Sequence, residues 1–485
     1  MARRNGTDKD AFINRDGGRF SQLKTNMTTE AVQTKSAIER AVASARDFYV
    51  YRIATAAASA GFLFGFDTAI INGALIFVRQ DFHLNELQTE FAAGSLLIGC
   101  LFGAGGAGTL SDRFGRRCLL LAAAVLFGLS SIGTALPRNL YEFVVARLFA
   151  GVAIGVASVI APMYIAEISP PQIRGRLVSL NQMAIVLGIL SAFSVSWMLS
   201  GRGESSWRLM FATAVLPSLA FLLALFFVPE SPRWLIRAGY ADLAMEVLQR
   251  IRGDQAATEA EEIQQSLAEE SGNFREMLTP HLRRPLFIAI ALAVLSQATG
   301  INSVNYYGAI LFRDHAGQGT ASSALGANVI VGLANLAGTI LALSVIDRVG
   351  RKALLLVGSA GMAVTLSLLG FALRVSPPPA NLILTAVLFY VGLFAISFAP
   401  VTWVCIAELF PTAIRGRAMS AATVALWAAC LLVSLTFLSL MKLLSPGGTF
   451  WLFASVCFVA FLFVWRWLPE TKGRSLEEIQ HMWKH

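Results

Sequence analysis

Two ionisable side chains lie deep in apolar stretches of this chain: Asp67, within 52–78, and Arg147, within 141–166. A charge surrounded by hydrocarbon costs at least about 2.5 kcal/mol and usually marks a pathway. Asp67 stands about 11 residues from the end of its stretch and Arg147 about 6, so at ~1.5 Å per helical residue their heights differ by roughly 7 Å, within reach of an arginine. Such a pair does one of two things. It locks two helices permanently, or it holds a proton site. While the guanidinium is near, the carboxylate stays ionised. If a conformational change withdraws it, the isolated carboxyl takes a proton.

Other chemistries find little support. The five cysteines include no C-x-x-C pair, and their odd number favours reduced thiols over disulfides. The five histidines fall outside the apolar stretches, and no two have metal-ligand spacing. Without a Gly-Lys dipeptide there is no phosphate-cradling loop. No nucleophile–base pair or metal set occurs in the apolar stretches. The expectation is therefore a protein that is not an enzyme and needs neither metal nor cofactor.

The elements that hold Asp67 and Arg147 follow from composition. The chain is 55% hydrophobic and 14% charged, too apolar for an ordinary soluble domain. Stretches of roughly 20 apolar residues recur, each enough to cross a ~30 Å hydrocarbon core. They fall near 52–78, 91–110, 118–136, 141–166, 177–199 and 209–228, then near 286–312, 324–346, 353–374, 383–409, 419–442 and 449–467. This predicts an all-α integral membrane protein with about twelve transmembrane helices in two six-helix bundles. The predicted organisation is a polar tail (1–51), a first bundle (52–228), a helical linker (229–285), a second bundle (286–467) and a short tail (468–485).

The two halves repeat. Asp112-Arg113-Phe114-Gly115-Arg116 reappears as Asp347-Arg348-Val349-Gly350-Arg351, an offset of 347 − 112 = 235. Glu167, followed by Arg174 and Arg176, reappears as Glu408, followed by Arg415 and Arg417, an offset of 408 − 167 = 241. Pro229-Glu230-Ser231 closes one half and Pro469-Glu470-Thr471 the other. Duplication in a membrane chain points to two bundles rocking about a site between them.

Basic residues cluster in alternate connections, at Arg113/Arg116/Arg117, Arg174/Arg176, the central linker, Arg348/Arg351/Lys352 and Arg415/Arg417. The positive-inside rule makes these connections and both termini cytoplasmic, in a cell membrane. The net charge of +9 is thus topology, and its spread over loops argues against nucleic acid. In the linker, Ser231-Pro232 suits a helix start, and Gly239 and Gly253 suit helix ends. Leu243, Val247 and Ile251 predict a short amphipathic helix under the bundles. The acidic run 259–270 reads as plain linker.

On these motifs the chain resembles the sugar porter family of the major facilitator superfamily. The resemblance covers roughly residues 50–475. It is carried by Gly61-Phe62-Leu63-Phe64-Gly65-Phe66-Asp67-Thr68, the Asp112–Arg117 loop, and Arg147 followed by Pro162-Met163-Tyr164-Ile165-Ala166-Glu167. Pro229-Glu230-Ser231-Pro232-Arg233-Trp234, Thr299-Gly300-Ile301-Asn302 and Pro469-Glu470-Thr471-Lys472-Gly473 complete it. The resemblance implies that Asp67 and Arg147 occupy the positions used in proton-coupled members. Facilitators often carry Asn in place of the Asp.

It also implies a sugar site. Gln182, Gln297, Asn302, Tyr306, Asn335 and Trp403 match sugar-contacting positions, and Phe64 and Trp427 match aromatic walls. The chemistry suits a monosaccharide, because an amide both donates and accepts, as a hydroxyl does. Taken singly, each amide also reads as helix–helix glue. Three departures weaken the match. Ser296 stands where many members have a glutamine, Leu426 and Cys430 where the eleventh span usually offers an amide, and Ile189 where some pentose carriers have glutamine.

The repeated charges are read as gates. Asp112, Arg113, Glu167 and Arg174 would pair with Asp347, Arg348, Glu408 and Arg415 across the bundles when the protein opens outward. The alternative is that they serve only as topology markers. The expected function is import of a monosaccharide by proton symport through alternating access, with sugar, proton and lipid bilayer as partners. The alternatives are a sugar facilitator or a non-transporting sensor. Sensors typically add a long cytoplasmic extension, and the tail here is short.

Overall fold

The computed structural model describes residues 46–269, 279–315, 320–410, 412–470 and 472, without the side chains of 269, 280, 281, 347 and 412–415. Most of both expected tails therefore lies outside the described residues.

All regular elements among the described residues are helices. The first half contains α1 (Arg46–Asp81), α2 (Glu86–Phe114), α3 (Arg116–Ala135), α4 (Leu140–Ile168), α5 (Arg174–Leu199) and α6 (Ser206–Phe226). Three short helices follow: α7 (Pro232–Arg237), α8 (Ala241–Arg252) and α9 (Ala256–Glu269). The second half contains α10 (Leu282–His315), α11 (Ala321–Val349), α12 (Arg351–Ala372), α13 (Ala380–Glu408), α14 (412–444) and α15 (446–467). The last two are continuous except at Ser445, whose φ of 67° and ψ of 161° break the helix. With that break counted, twelve described helices are long and apolar enough to span a membrane.

In hydrocarbon every backbone polar group must be satisfied within the segment, and a helix does this. The helices overrun the apolar stretches because polar residues cap them. Asn85 accepts from the Gln88 amide at 2.9 Å and Gln88 answers to the Asn85 amide at 3.0 Å, a complete capping box that starts α2. Asn139 starts α4 by accepting from the Glu142 amide. Within the first half, α2 and α4 pack backbone to backbone. A Cβ added at Gly99 would stand 2.1 Å from the Leu148 carbonyl oxygen, and one at Gly155 would stand 2.3 Å from that of Cys100. Small residues allow backbones to approach where lipid supplies no hydrophobic drive.

The linker differs from expectation in two ways. The acidic run is helical, forming α9. In α8 the buried face is Ala244, Leu248 and Ile251, while Leu243 is 52% exposed. The face is thus turned by one residue at its start. It packs with Val50, Ile53, Ala54, Tyr164, Ile168 and Leu177, at the base of α1, α4 and α5. As anticipated, Ser231 caps α7 by accepting from the Trp234 amide, with Pro232 in the first turn.

Across the two halves, α2 lies against α14 and α5 against α11. The connections α2–α3, α4–α5, α11–α12 and α13–α14, with the linker, form one face, called here the basic face.

Candidate functional site

Arg147 is fully buried on α4 and donates from Nη1 to Oδ2 of Asp67 on α1 at 2.6 Å. The Phe211 ring on α6 lies 5.4 Å from the guanidinium carbon, a favourable cation–π arrangement. Nε and Nη2 of Arg147 are buried without a hydrogen-bond partner among the described residues. The pair is buried but incompletely satisfied among the described residues. A buried ion pair withstands its desolvation only when its remaining donors are also bonded.

One turn before Asp67, Phe64 meets Trp427 of α14 edge to face, with centroids 5.4 Å apart. This aromatic contact joins the two halves midway along their helices. Close backbones set the wall. A Cβ at Gly65 would stand 1.9 Å from the Ile185 carbonyl oxygen, so α1 touches α5 directly. Gln182 lies one turn before Ile185 on α5.

The α10 helix breaks between the amides expected to bind sugar. Gly300 takes φ 90°, which favours glycine, and a Cβ there would stand 2.6 Å from the Phe453 ring. The Thr299 carbonyl at the break accepts from the Tyr390 hydroxyl of α13 at 3.0 Å. On one side of the break stands Gln297 and on the other Asn302, whose Nδ2 donates to Gln297 Oε1 at 2.5 Å. Gln297 Nε2 donates to Ser296 Oγ at 3.1 Å, and Asn305 donates to Asn302 Oδ1 at 3.3 Å. Cys430 closes this chain: its sulfur accepts from Asn302 at 3.0 Å and lies 3.9 Å from the Tyr306 hydroxyl. Two departures from the family pattern, Ser296 and Cys430, are thus built into the amide network.

Gln182, Asn335 and Trp403 are half-buried on α5, α11 and α13. The amides of Gln182 and Asn335 have no hydrogen bond among the described residues. Trp403 follows the break in α13 at Ser397 (φ −111°, ψ −87°).

At the basic face, the described ion pairs of the expected gate form within each half. Arg116 donates to both oxygens of Glu167, at 3.0 and 3.1 Å, and to Asp112 at 3.2 Å. Asp112 also pairs with Arg237 of the linker at 2.7 Å, and Ser231 donates to Glu167. In the second half Arg351 donates to Glu408 at 3.1 Å. Arg113 turns to its neighbour Phe114, 5.2 Å from the ring centroid. Arg174 and Arg348 are exposed. The side chains of Asp347 and Arg415 lie outside the described residues.

Glu230 and Glu470 close the two halves in the sequence, where no partner for either is legible. Glu230 accepts from the amides of Arg116, Arg117 and Ser231 at 2.8–3.1 Å. Glu470 accepts from the amides of Arg351 and Lys352 at 3.0 Å each. Each carboxylate caps the free amides that open a membrane helix, α3 or α12. Burial pushes the Glu230 carboxyl above its ordinary value, against the opposing pull of those amides and of the Arg116 charge. The signal was present in the sequence as an acidic residue repeated at the close of each half. Arg116 and Arg351, members of the basic clusters, hold the repeated glutamates Glu167 and Glu408.

The chain resembles known proteins over most of its length. A family model described as "Sugar (and other) transporter" matches residues 53–483. The arabinose-proton symporter of Bacillus subtilis is 37% identical over 443 residues, covering 90% of this chain and 95% of that one. The D-xylose-proton symporter of Escherichia coli is 38% identical over 477 residues, covering 90% and 96%. The structure of the proton:xylose symporter XylE bound to 6-bromo-6-deoxy-D-glucose superposes with a TM-score of 0.78 at 36% identity, covering 90% of this chain and all of that one. With the duplicated signatures, the twelve helices and the match across residues 53–483, the chain is a member of the sugar porter family of the major facilitator superfamily.

Proposed function

We propose that this protein imports a monosaccharide together with protons by alternating access. The observation that carries the reading is the buried contact between Asp67 and Arg147, one turn from the Phe64–Trp427 wall. The carboxylate is buried, and a single hydrogen bond joins it to its partner. Moving α4 relative to α1 would strand the carboxyl, which then takes a proton. Rejoining Arg147 would expel that proton. The relatives named as arabinose-proton and D-xylose-proton symporters support proton coupling and a sugar substrate.

The substrate site is proposed between the halves, lined by Phe64, Gln182, Gln297, Asn302, Tyr306, Asn335, Trp403 and Trp427. Bound sugar hydroxyls would compete for the amide–thiol chain around Asn302. Gln182 and Asn335 offer amides without an internal partner among the described residues. The basic face is proposed as cytoplasmic, following the positive-inside rule. The intrabundle pairs around Glu167 and Glu408 are proposed to re-pair across the halves when that face closes.

Radiolabelled xylose, arabinose and glucose uptake in a transport-deficient bacterial strain tests the reading. Accumulation above the external concentration should occur for at least one sugar and collapse with a protonophore. Equilibration without accumulation would identify a facilitator instead.

A further inference from the structure

Alternating access needs two closures, one on each face, and the sequence pointed only to the basic one. The seam between α2 and α14 carries the other. Its residues meet in antiparallel steps. At the rim Glu86 pairs with Lys442 at 3.4 Å, with both side chains at least a third exposed. One turn inward is Glu90, only 1% exposed. Its Oε1 accepts from the Ser439 amide and its Oε2 from the Ser439 hydroxyl, both at 2.7 Å. A further turn inward Gly94 lies against Leu435, where a Cβ would stand 2.6 Å from Cδ2. Tyr307 of α10 flanks the contact, donating to the Ser434 carbonyl at 2.8 Å and stacking on Phe437 at 5.3 Å.

Glu90 lies just outside the apolar stretch 91–110 and in the first turns of α2, where an acidic residue ordinarily answers the helix dipole. The fold instead buries it between the halves, with both oxygens spent on one residue of the other half. We propose that Glu90 and Ser439 form the latch that closes the face opposite the basic loops, and that this contact sets how readily that face opens. The inference rests on the alternating-access reading. The contact exists only while the seam is shut, so it stabilises one state selectively and biases the equilibrium. A bond to a charged group left dry and unpaired is costly, so the carboxylate leaves the seam only when water reaches it. The exposed Glu86–Lys442 pair has little such leverage.

Spin labels at the exposed rim positions Leu87→Cys and Leu443→Cys, in a Cys118→Ser background reconstituted in nanodiscs, report the seam by their distance distribution. Glu90→Ala should add a longer-distance population, raising the open fraction by about 10-fold, given the bonds lost to a charged group. Ser439→Ala, which keeps the backbone amide, should give a smaller shift in the same direction. Glu90→Gln can accept from the amide and donate to the hydroxyl, so it should shift less than Glu90→Ala. Glu86→Gln, at the wet rim, should behave as the parent. A parent-like distribution in Glu90→Ala overturns the latch, as does a shift in Glu90→Gln equal to that in Glu90→Ala. Should Glu90→Ala fail to fold, Ser439→Ala decides alone, and an unchanged distribution there overturns the latch. The measurement uses neither sugar nor a proton gradient, so its failure is separate from failure of the transport reading.

Discussion

Gly115 and Gly350, at 350 − 115 = 235 residues apart, adopt the same backbone: φ 94° and ψ 160° in one, φ 102° and ψ 158° in the other. Each ends one membrane helix and starts the next, and each lies against a glutamate that caps the new helix. A Cβ would stand 2.4 Å from Glu230 Oε2 in the first case and 2.8 Å from Glu470 Oε2 in the second. The duplication therefore reaches beyond sequence signatures to backbone dihedrals and capping partners.

Gly115→Ala and Gly350→Ala should each destabilise the protein by about 1–3 kcal/mol, since only glycine adopts this conformation without strain. Gly105→Ala, in α2 with open space around the added Cβ, serves as control. Thermal unfolding in detergent checks this, and equal melting temperatures for all three variants would contradict it.

Glu230 gives a pH signature. Its folded value is raised from 4.5 by burial, so its ionisation opposes folding. The contribution favouring the fold is complete below the ordinary glutamate value and fades as pH rises through the folded value. The stability difference between the parent and Glu230→Gln should therefore change as pH rises above the ordinary glutamate value, with the parent relatively more stable at the acid end. Melting temperatures taken in parallel across that range measure it.

Asp67→Asn should abolish uphill sugar accumulation while leaving sugar binding and exchange. Its neutral amide keeps the shape of the site but can no longer cycle between ionised and protonated forms. Counterflow and proton-driven uptake in the same vesicles separate the two activities. Concentrative uptake by the Asn variant would remove Asp67 from the coupling.

Gln182→Ala and Asn302→Ala should each weaken sugar binding roughly 2- to 13-fold, the cost of one lost hydrogen bond at about 0.5–1.5 kcal/mol. Asn302→Ala should also loosen Gln297 and Cys430, which it holds at 2.5 and 3.0 Å. Trp403→Ala should weaken binding as well. Titration calorimetry on purified protein tests all three. Unchanged affinities throughout would move the site elsewhere.

Glu408→Gln should shift the population toward states open at the basic face and slow net uptake. The shift follows if the cross-bundle pairing proposed for the closed state outweighs the 3.1 Å contact to Arg351 within the half. A cysteine introduced in the vestibule of that face should react faster with a water-soluble thiol reagent. Equal reactivity at equal expression would leave these charges as topology markers.

The sequence by itself determined the membrane class, the number of spans and the twofold repeat. These properties are written in local composition, in the length of apolar stretches and in signatures at a near-constant offset. It also singled out Asp67 and Arg147, because two charges in apolar stretches stand out before any folding. Only the tertiary structure decided partners. Glu167 sits close in sequence to Arg174 and Arg176, yet takes Arg116 from another helix, 51 positions away. Glu230 reads as a polar linker residue until α3 presents its free amides to it. Glu90 reads as a helix-start carboxylate until α14 closes over it. Spacing along one helix predicts which residues share a face. It carries no record of which face of which other helix will meet them, and in lipid that choice is made by backbone approach at glycines and by buried polar groups finding donors.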